Sequence, residues 1–123
     1  MDMATPAKAI LIVEDEAFIR HDLMDFFEDR GFLVFEAACA QEAIELLASS
    51  RAIEVVLTDV NMPGTMDGLR LAHYVRDRYP PTILVVASGA VQLNPVDLPD
   101  RAMFVAKPFD PRFVLQEIER LAA

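Results

Sequence analysis

Apolar residues in this chain come in short blocks of two kinds. In the first kind they are nearly continuous: Ala9 to Val13, Ile53 to Thr58, Thr82 to Ala87 and Met103 to Ala106. Runs of this length, bounded by polar residues, predict strands covered on both faces. Phe32 to Ala37 predicts one more short strand. In the second kind, apolar residues recur every three or four positions. Ile19, Leu23, Phe26 and Phe27 predict a helix that Gly31 stops. Ala40, Ala43, Ile44 and Leu47 predict a second, closing near Ser49-Ser50. Leu71, Ala72 and Val75 predict a third, ending near Tyr79-Pro80-Pro81. Asp110 suits the N-cap of a last helix and Pro111 its first turn, with Val114, Ile118 and Leu121 as the buried stripe. Strands alternating with helices predict an α/β domain, a doubly wound parallel sheet with helices on both faces.

One connection breaks the pattern. A crossover helix is expected between Ser88 and Met103, but Pro95 and Pro99 lie inside that stretch. Each proline biases the residue before it away from helical dihedrals. The fourth crossover is therefore predicted to be short or irregular.

The ends of the strands carry the chemistry. The first runs into Glu14-Asp15, the third into Asp59, the fourth into Ser88 and the fifth into Lys107-Pro108. In an open parallel sheet these C-terminal ends share one edge, and ligands bind in the crevice outside it. Three carboxylates brought together repel one another unless a cation joins them. Hard oxygen ligands with room for water suit Mg²⁺. A lysine and a hydroxyl beside such a site suit a phosphoryl group. The set points to phosphoryl transfer onto a carboxylate.

Composition narrows the classes. The chain has 123 residues, 54% of them apolar, enough for one domain with a real core. Its net charge of −9 argues against direct nucleic-acid binding and against an anionic membrane surface. A single cysteine, Cys39, forms no internal disulfide, which fits a reducing, cytoplasmic setting. The apolar run after residues 1–7, a short polar arm ahead of the domain proper (8–123), stops too soon for a secretory leader. No run approaches the ~20 residues of a membrane helix.

With these pieces in place the chain resembles the receiver domains of two-component response regulators, the CheY-like superfamily. The resemblance rests on Val13-Glu14-Asp15-Glu16, Thr58-Asp59-Val60-Asn61-Met62-Pro63-Gly64, Met66-Asp67-Gly68, Ala87-Ser88-Gly89 and Lys107-Pro108-Phe109, in that order. It implies a flavodoxin-like fold of five strands in the order 2-1-3-4-5. It implies that Asp59 is the phosphoacceptor, taking a phosphoryl group from a histidine kinase or histidine phosphotransferase. Asp15, Asp59 and the backbone carbonyl of Asn61 would bind Mg²⁺, with Glu14 reaching the ion through water or orienting its partners. Lys107 would pair with Asp59 at rest and with the phosphoryl group afterwards. Ser88 would supply a switch hydroxyl, and Phe104 occupies the place of an aromatic that moves inward on activation. The bond before Pro108 is expected to be cis.

Plainer readings stand beside these. Glu14-Asp15 also suits a capping pair for the first helix. Asp59 also suits a turn after a strand, Lys107 a solvated surface position, Ser88 a turn serine and Phe104 core packing. His21 and His73 read as surface residues, and Phe18 as a docking contact or an edge cover. A haloacid-dehalogenase-like aspartyl phosphatase also uses an aspartate after a strand with Mg²⁺. It wants a second aspartate two positions on, where this chain has Asn61. A phosphorylation-independent scaffold is the third class. The expected role is a switch rather than a turnover enzyme. It would act on a downstream protein target as a monomer or weak dimer.

Overall fold

The computed structural model describes residues 8–50, 52–89 and 94–122. The expected arm, residues 1–7, lies outside them. In chain order the elements are β1 (Ala9–Val13), α1 (Ala17–Asp29), β2 (Leu33–Ala37), α2 (Ala40–Ser49), β3 (Ile53–Asp59), α3 (Gly68–Arg78), β4 (Ile83–Ser88), a 3-10 turn (Pro95–Asp97), β5 (Ala102–Ala106) and α4 (Pro111–Ala122). All strand pairings are parallel, and the sheet order is β2-β1-β3-β4-β5. This is the five-stranded, doubly wound order that the resemblance implies.

Side chains on a strand alternate between the two faces, and the central strands use both. Ile10 and Ile12 pack with Phe27 of α1 and with Val114 and Ile118 of α4. Leu11 and Val13 pack on the opposite face with Ala43 and Leu47 of α2 and with Leu71 and Val75 of α3. All five residues of β1 are buried, as a strand between two helical layers requires. Helix α1 stops where expected: Gly31 adopts a φ of +87°, and its amide donates to the Glu28 carbonyl at 3.0 Å. Asp110 Oδ1 accepts from the Arg112 amide at 2.9 Å, so the predicted cap of α4 forms with Pro111 in its first turn. One stripe residue departs from expectation. Leu121 is 42% exposed, because the sheet no longer covers the last turn of α4.

Between β4 and β5 the only regular piece among the described residues is the 3-10 turn. Residues 90–93 lie outside the described set. The turn opens on Asn94, whose Oδ1 accepts from the Val96 amide at 3.2 Å. Helix α3 holds this connection by side chains. His73 Nε2 lies 2.6 Å from the Asp97 carbonyl. The Arg76 guanidinium donates to the carbonyls of Asp100 at 2.7 Å and Thr82 at 2.9 Å, and also to that of Pro80.

Candidate functional site

The parallel register brings the strand ends to one level. Val13 is level with Thr58, Thr58 with Val86 and Val86 with Phe104. Hydrogen bonding continues one step past the strands. The Glu14 amide donates to the Ala37 carbonyl, Val60 to Ala87 and Lys107 to Ser88, at 2.9 to 3.0 Å. The side chains of Glu14, Asp59, Ser88 and Lys107 therefore share one rim.

Carboxylate oxygens of Glu14, Asp15 and Asp59 lie within 4.8 Å of one another. Glu14 is 2% exposed, Asp59 9%, and Asp15 is exposed to solvent. Both oxygens of Glu14 are engaged: Oε1 accepts from Lys107 Nζ at 2.7 Å and Oε2 from the Glu16 amide at 3.1 Å. Lys107 Nζ also reaches Asp59 Oδ2, at 3.4 Å. The lysine thus bridges two of the three acids and sits nearer to Glu14. The Lys107-Pro108 bond is cis.

Burial and pairing act in opposite directions on these groups. Burial pushes the Glu14 carboxyl above its ordinary range, against the pull of Lys107 and the Glu16 amide. For Lys107, burial lowers the ammonium pKa, but the Glu14 hydrogen bond and the Asp59 charge more than offset it and raise it overall.

Glu14 and Asp15 stand just ahead of α1, at its N-terminal end, as well as in the acidic cluster. Helix α1 begins at Ala17 with Glu16 at its N-cap and no side-chain cap bond. Glu14 instead catches the Glu16 amide ahead of the helix. Ser88 is 2% exposed at the end of β4. Phe104 is half-buried in β5, Asn61 is exposed in the loop after β3, and Cys39 is half-buried at the N-cap of α2. Phe18 is 90% exposed and covers nothing. His21 and His73 are both exposed, as expected.

Two features of the site escape a residue-by-residue reading. A Cβ built on Gly68 would lie 1.7 Å from the Asp59 carbonyl oxygen and 2.8 Å from Thr58 Oγ1. The first turn of α3 thus lies directly on the end of β3. The Gly68 amide donates to the Val60 carbonyl at 2.9 Å, and Thr58 Oγ1 donates to the Asp59 carbonyl at 2.9 Å. The second feature is Arg20, whose Nη1 donates to the Glu14 carbonyl at 2.8 Å and whose Nε donates to Glu36 Oε1 at 2.9 Å. A charge contrast signals it, since Arg20 is the only lysine or arginine between Glu14 and Asp29.

The profile of the response regulator receiver domain matches residues 10–119. The chain belongs to that family. The receiver is 36% identical over 119 residues to the response regulator protein FleR of Pseudomonas aeruginosa, covering 94% of this chain and 25% of FleR. It is 30% identical over 123 residues to the transcriptional regulatory protein ResD of Bacillus subtilis, covering 98% of this chain and 50% of ResD. The receiver therefore spans between a quarter and half of the length of these relatives. Its fold matches the crystal structure of a response regulator receiver protein from Sinorhizobium medicae, with a TM-score of 0.87, 30% identity and 94% of each chain covered. Receiver domains are signalling switches of two-component systems rather than turnover enzymes. No helix among the described residues is long and apolar enough to cross a membrane.

The donor set fits a divalent cation. Three carboxylates converge, and the exposed one leaves a side open to water, as a reluctantly dehydrated ion such as Mg²⁺ needs. The hollow beside them, lined by Glu14, Thr58, Asp59, Lys107 and Phe109 among others, measures only about 10 Å³. That is room for about one water and not for an enclosed substrate. Larger hollows of about 660 and 940 Å³ lie away from the acids, the first lined by Leu47, Ile53, Arg78 and Pro81 among others, and one of about 530 Å³ lies beside Lys107, Pro108 and Phe109.

Proposed function

We propose that this receiver is the phosphoacceptor switch of a two-component phosphorelay, with Asp59 as the residue that takes the phosphoryl group. The observation that carries the reading is the cluster itself: three carboxylates within 4.8 Å, two of them bridged by one lysine. Asp15 and Asp59 would hold Mg²⁺ directly with the Asn61 carbonyl, and Glu14 would act through water. When bound, the ion would neutralise charge on the phosphoryl oxygens.

The donor is a phosphohistidine of a kinase or phosphotransferase. An Asp59 carboxylate oxygen attacks phosphorus, an O–P bond forms, the N–P bond breaks, and the imidazole leaves with the electron pair. Such transfer needs positioning and charge stabilisation more than covalent help from the protein. Positioning comes from β3, which ends against α3 at Gly68. Lys107 can exchange its 3.4 Å contact to Asp59 for a phosphoryl oxygen while keeping Glu14 at 2.7 Å. The Ser88 hydroxyl would donate to another phosphoryl oxygen, and Phe104 would follow the movement of the rim. The added charge and acceptor oxygens bias the surface around β5, which a downstream protein target reads. The phosphatase reading finds less support. Asn61 stands where its second acid would be, and the hollow at the acids is too small to enclose a phosphomonoester.

Intact-mass measurement after incubation with acetyl phosphate and Mg²⁺ tests this. One added phosphoryl group, mapped to Asp59 and absent from Asp59→Asn, is expected. Equal incorporation into the Asn variant overturns the assignment.

A further inference from the structure

Arg20 stands out in a segment otherwise dominated by acids. Its side chain is only 14% exposed although it lies on the polar side of α1. Its fork ties three elements together. It rides on α1, donates to the carbonyl just past the end of β1 and pairs with Glu36 of β2. That carbonyl belongs to Glu14, the residue after β1, so the peptide that Arg20 grips is the one joining Glu14 to Asp15. Those two residues must hold their carboxylates toward Asp59 against mutual repulsion. Glu14 is already fixed by its side chain, through Lys107 and the Glu16 amide. Asp15 is exposed, and no side-chain hydrogen bond to it is present among the described contacts. Its direction rests on its backbone, and Arg20 is the side chain that holds that backbone.

Charge explains the second contact. A bare guanidinium beside a divalent-cation site would oppose the cation. Glu36 at 2.9 Å cancels that charge and leaves the grip on the carbonyl intact. His21 Nε2 also faces Glu36 Oε1, at 3.8 Å.

We infer that Arg20 is a positioning residue for the Mg²⁺ site, fixing the Glu14–Asp15 peptide while Glu36 silences its charge. This rests on the metal reading proposed above. Outer partners of metal ligands typically change affinity by 10–100-fold when removed.

Calorimetric Mg²⁺ titration of the whole chain tests it, with metal-free thermal melts alongside. Arg20→Ala is expected to weaken Mg²⁺ binding by roughly 10-fold. Arg20→Lys should recover part of the loss by keeping a donor and a charge. Glu36→Gln should weaken binding less, and its effect should shrink as ionic strength rises, because exposed charges are screened. If Arg20 only ties α1 to β2, Arg20→Ala lowers the melting temperature and leaves the isotherm unmoved, which overturns the inference. Should Arg20→Ala fail to fold, wild-type affinity in both Arg20→Lys and Glu36→Gln overturns it equally. A wild-type chain that binds no Mg²⁺ removes the metal reading as well, whereas a wild-type isotherm shared by all variants removes only the role of Arg20.

Discussion

Lys107 Nζ lies 2.7 Å from Glu14 Oε1, closer than its 3.4 Å approach to Asp59. The lysine that resemblance assigns to the phosphoacceptor is, before phosphorylation, chiefly the counter-ion of a buried glutamate. That makes Glu14 dependent on it. Removing one partner of a buried pair strands the other charge.

Lys107→Met should therefore destabilise the metal-free fold at neutral pH by about 2 kcal/mol, discounted from a fully buried pair because the lysine is partly exposed. The loss should depend on pH. The Glu14 carboxyl is raised by burial, so acidification neutralises it early in the folded state, and the stranded charge disappears. The gap between wild type and variant should thus narrow as pH falls through that raised pKa. At the alkaline end, the folded-state pKa of Lys107 is raised, so its contribution is complete below the ordinary lysine value of 10.5 and is lost as pH rises through the higher folded value. Urea denaturation across pH checks this, and a gap independent of pH would contradict it.

Mg²⁺ should stabilise the fold by mass action, since the three carboxylates converge only in the native state. A rise in melting temperature is expected on adding millimolar Mg²⁺ at constant ionic strength, and Asp15→Asn should abolish it. An unchanged melt of the wild type would count against the site.

Gly68→Ala should be costly in spite of its small size. The new methyl would sit 1.7 Å from the Asp59 carbonyl oxygen, and the obstacle is backbone rather than a flexible side chain. A destabilisation near the upper end of overpacking effects, about 3 kcal/mol, is expected. Chemical denaturation measures it, and acetyl phosphate incorporation by the remaining folded protein should fall as β3 shifts. A variant as stable as wild type would show that α3 can slide off the strand end.

Phosphorylation is not expected to drive a symmetric dimer through the face between the β4–β5 connection and α4. A self-complementary interface there needs a regular face on both copies. The described part of that connection offers a single 3-10 turn, and a net charge of −9 adds repulsion that phosphorylation increases. Light scattering with and without beryllofluoride decides it, and a tight dimer formed only with the mimic, through residues 94 to 122, would refute it.

Much of this was legible in the chain before any coordinates. The continuous runs of Ala9 to Val13 and Ile53 to Thr58, short and bounded by polar residues, read as strands buried on both faces, and both are central strands. The rim residues were legible because each follows an apolar run directly. What stayed hidden depends on distances across the sequence. Nothing local says that Lys107 would choose Glu14, 93 positions away, over Asp59. The grip of Arg20 on the Glu14 carbonyl needed the tilt of α1, and the contact of Gly68 with Asp59 needed the loop between them to close. Leu121 was misjudged because periodicity cannot tell where a sheet stops beneath a helix.

The way α3 holds the β4–β5 connection bears on mutational tolerance. An ordinary crossover helix satisfies its own backbone, so nearly any residue that keeps its buried stripe will serve. Here two carbonyls of the connection depend on side chains of α3, that of Asp97 on His73 and that of Asp100 on Arg76, whose guanidinium also holds Pro80 and Thr82 ahead of β4. Sequence freedom lost at those two positions is gained along the connection itself, whose own residues can drift as long as their carbonyls return to the same two side chains. Related chains with a similarly irregular crossover should accordingly vary most between the fourth and fifth strands, and least at the two donors on the third helix.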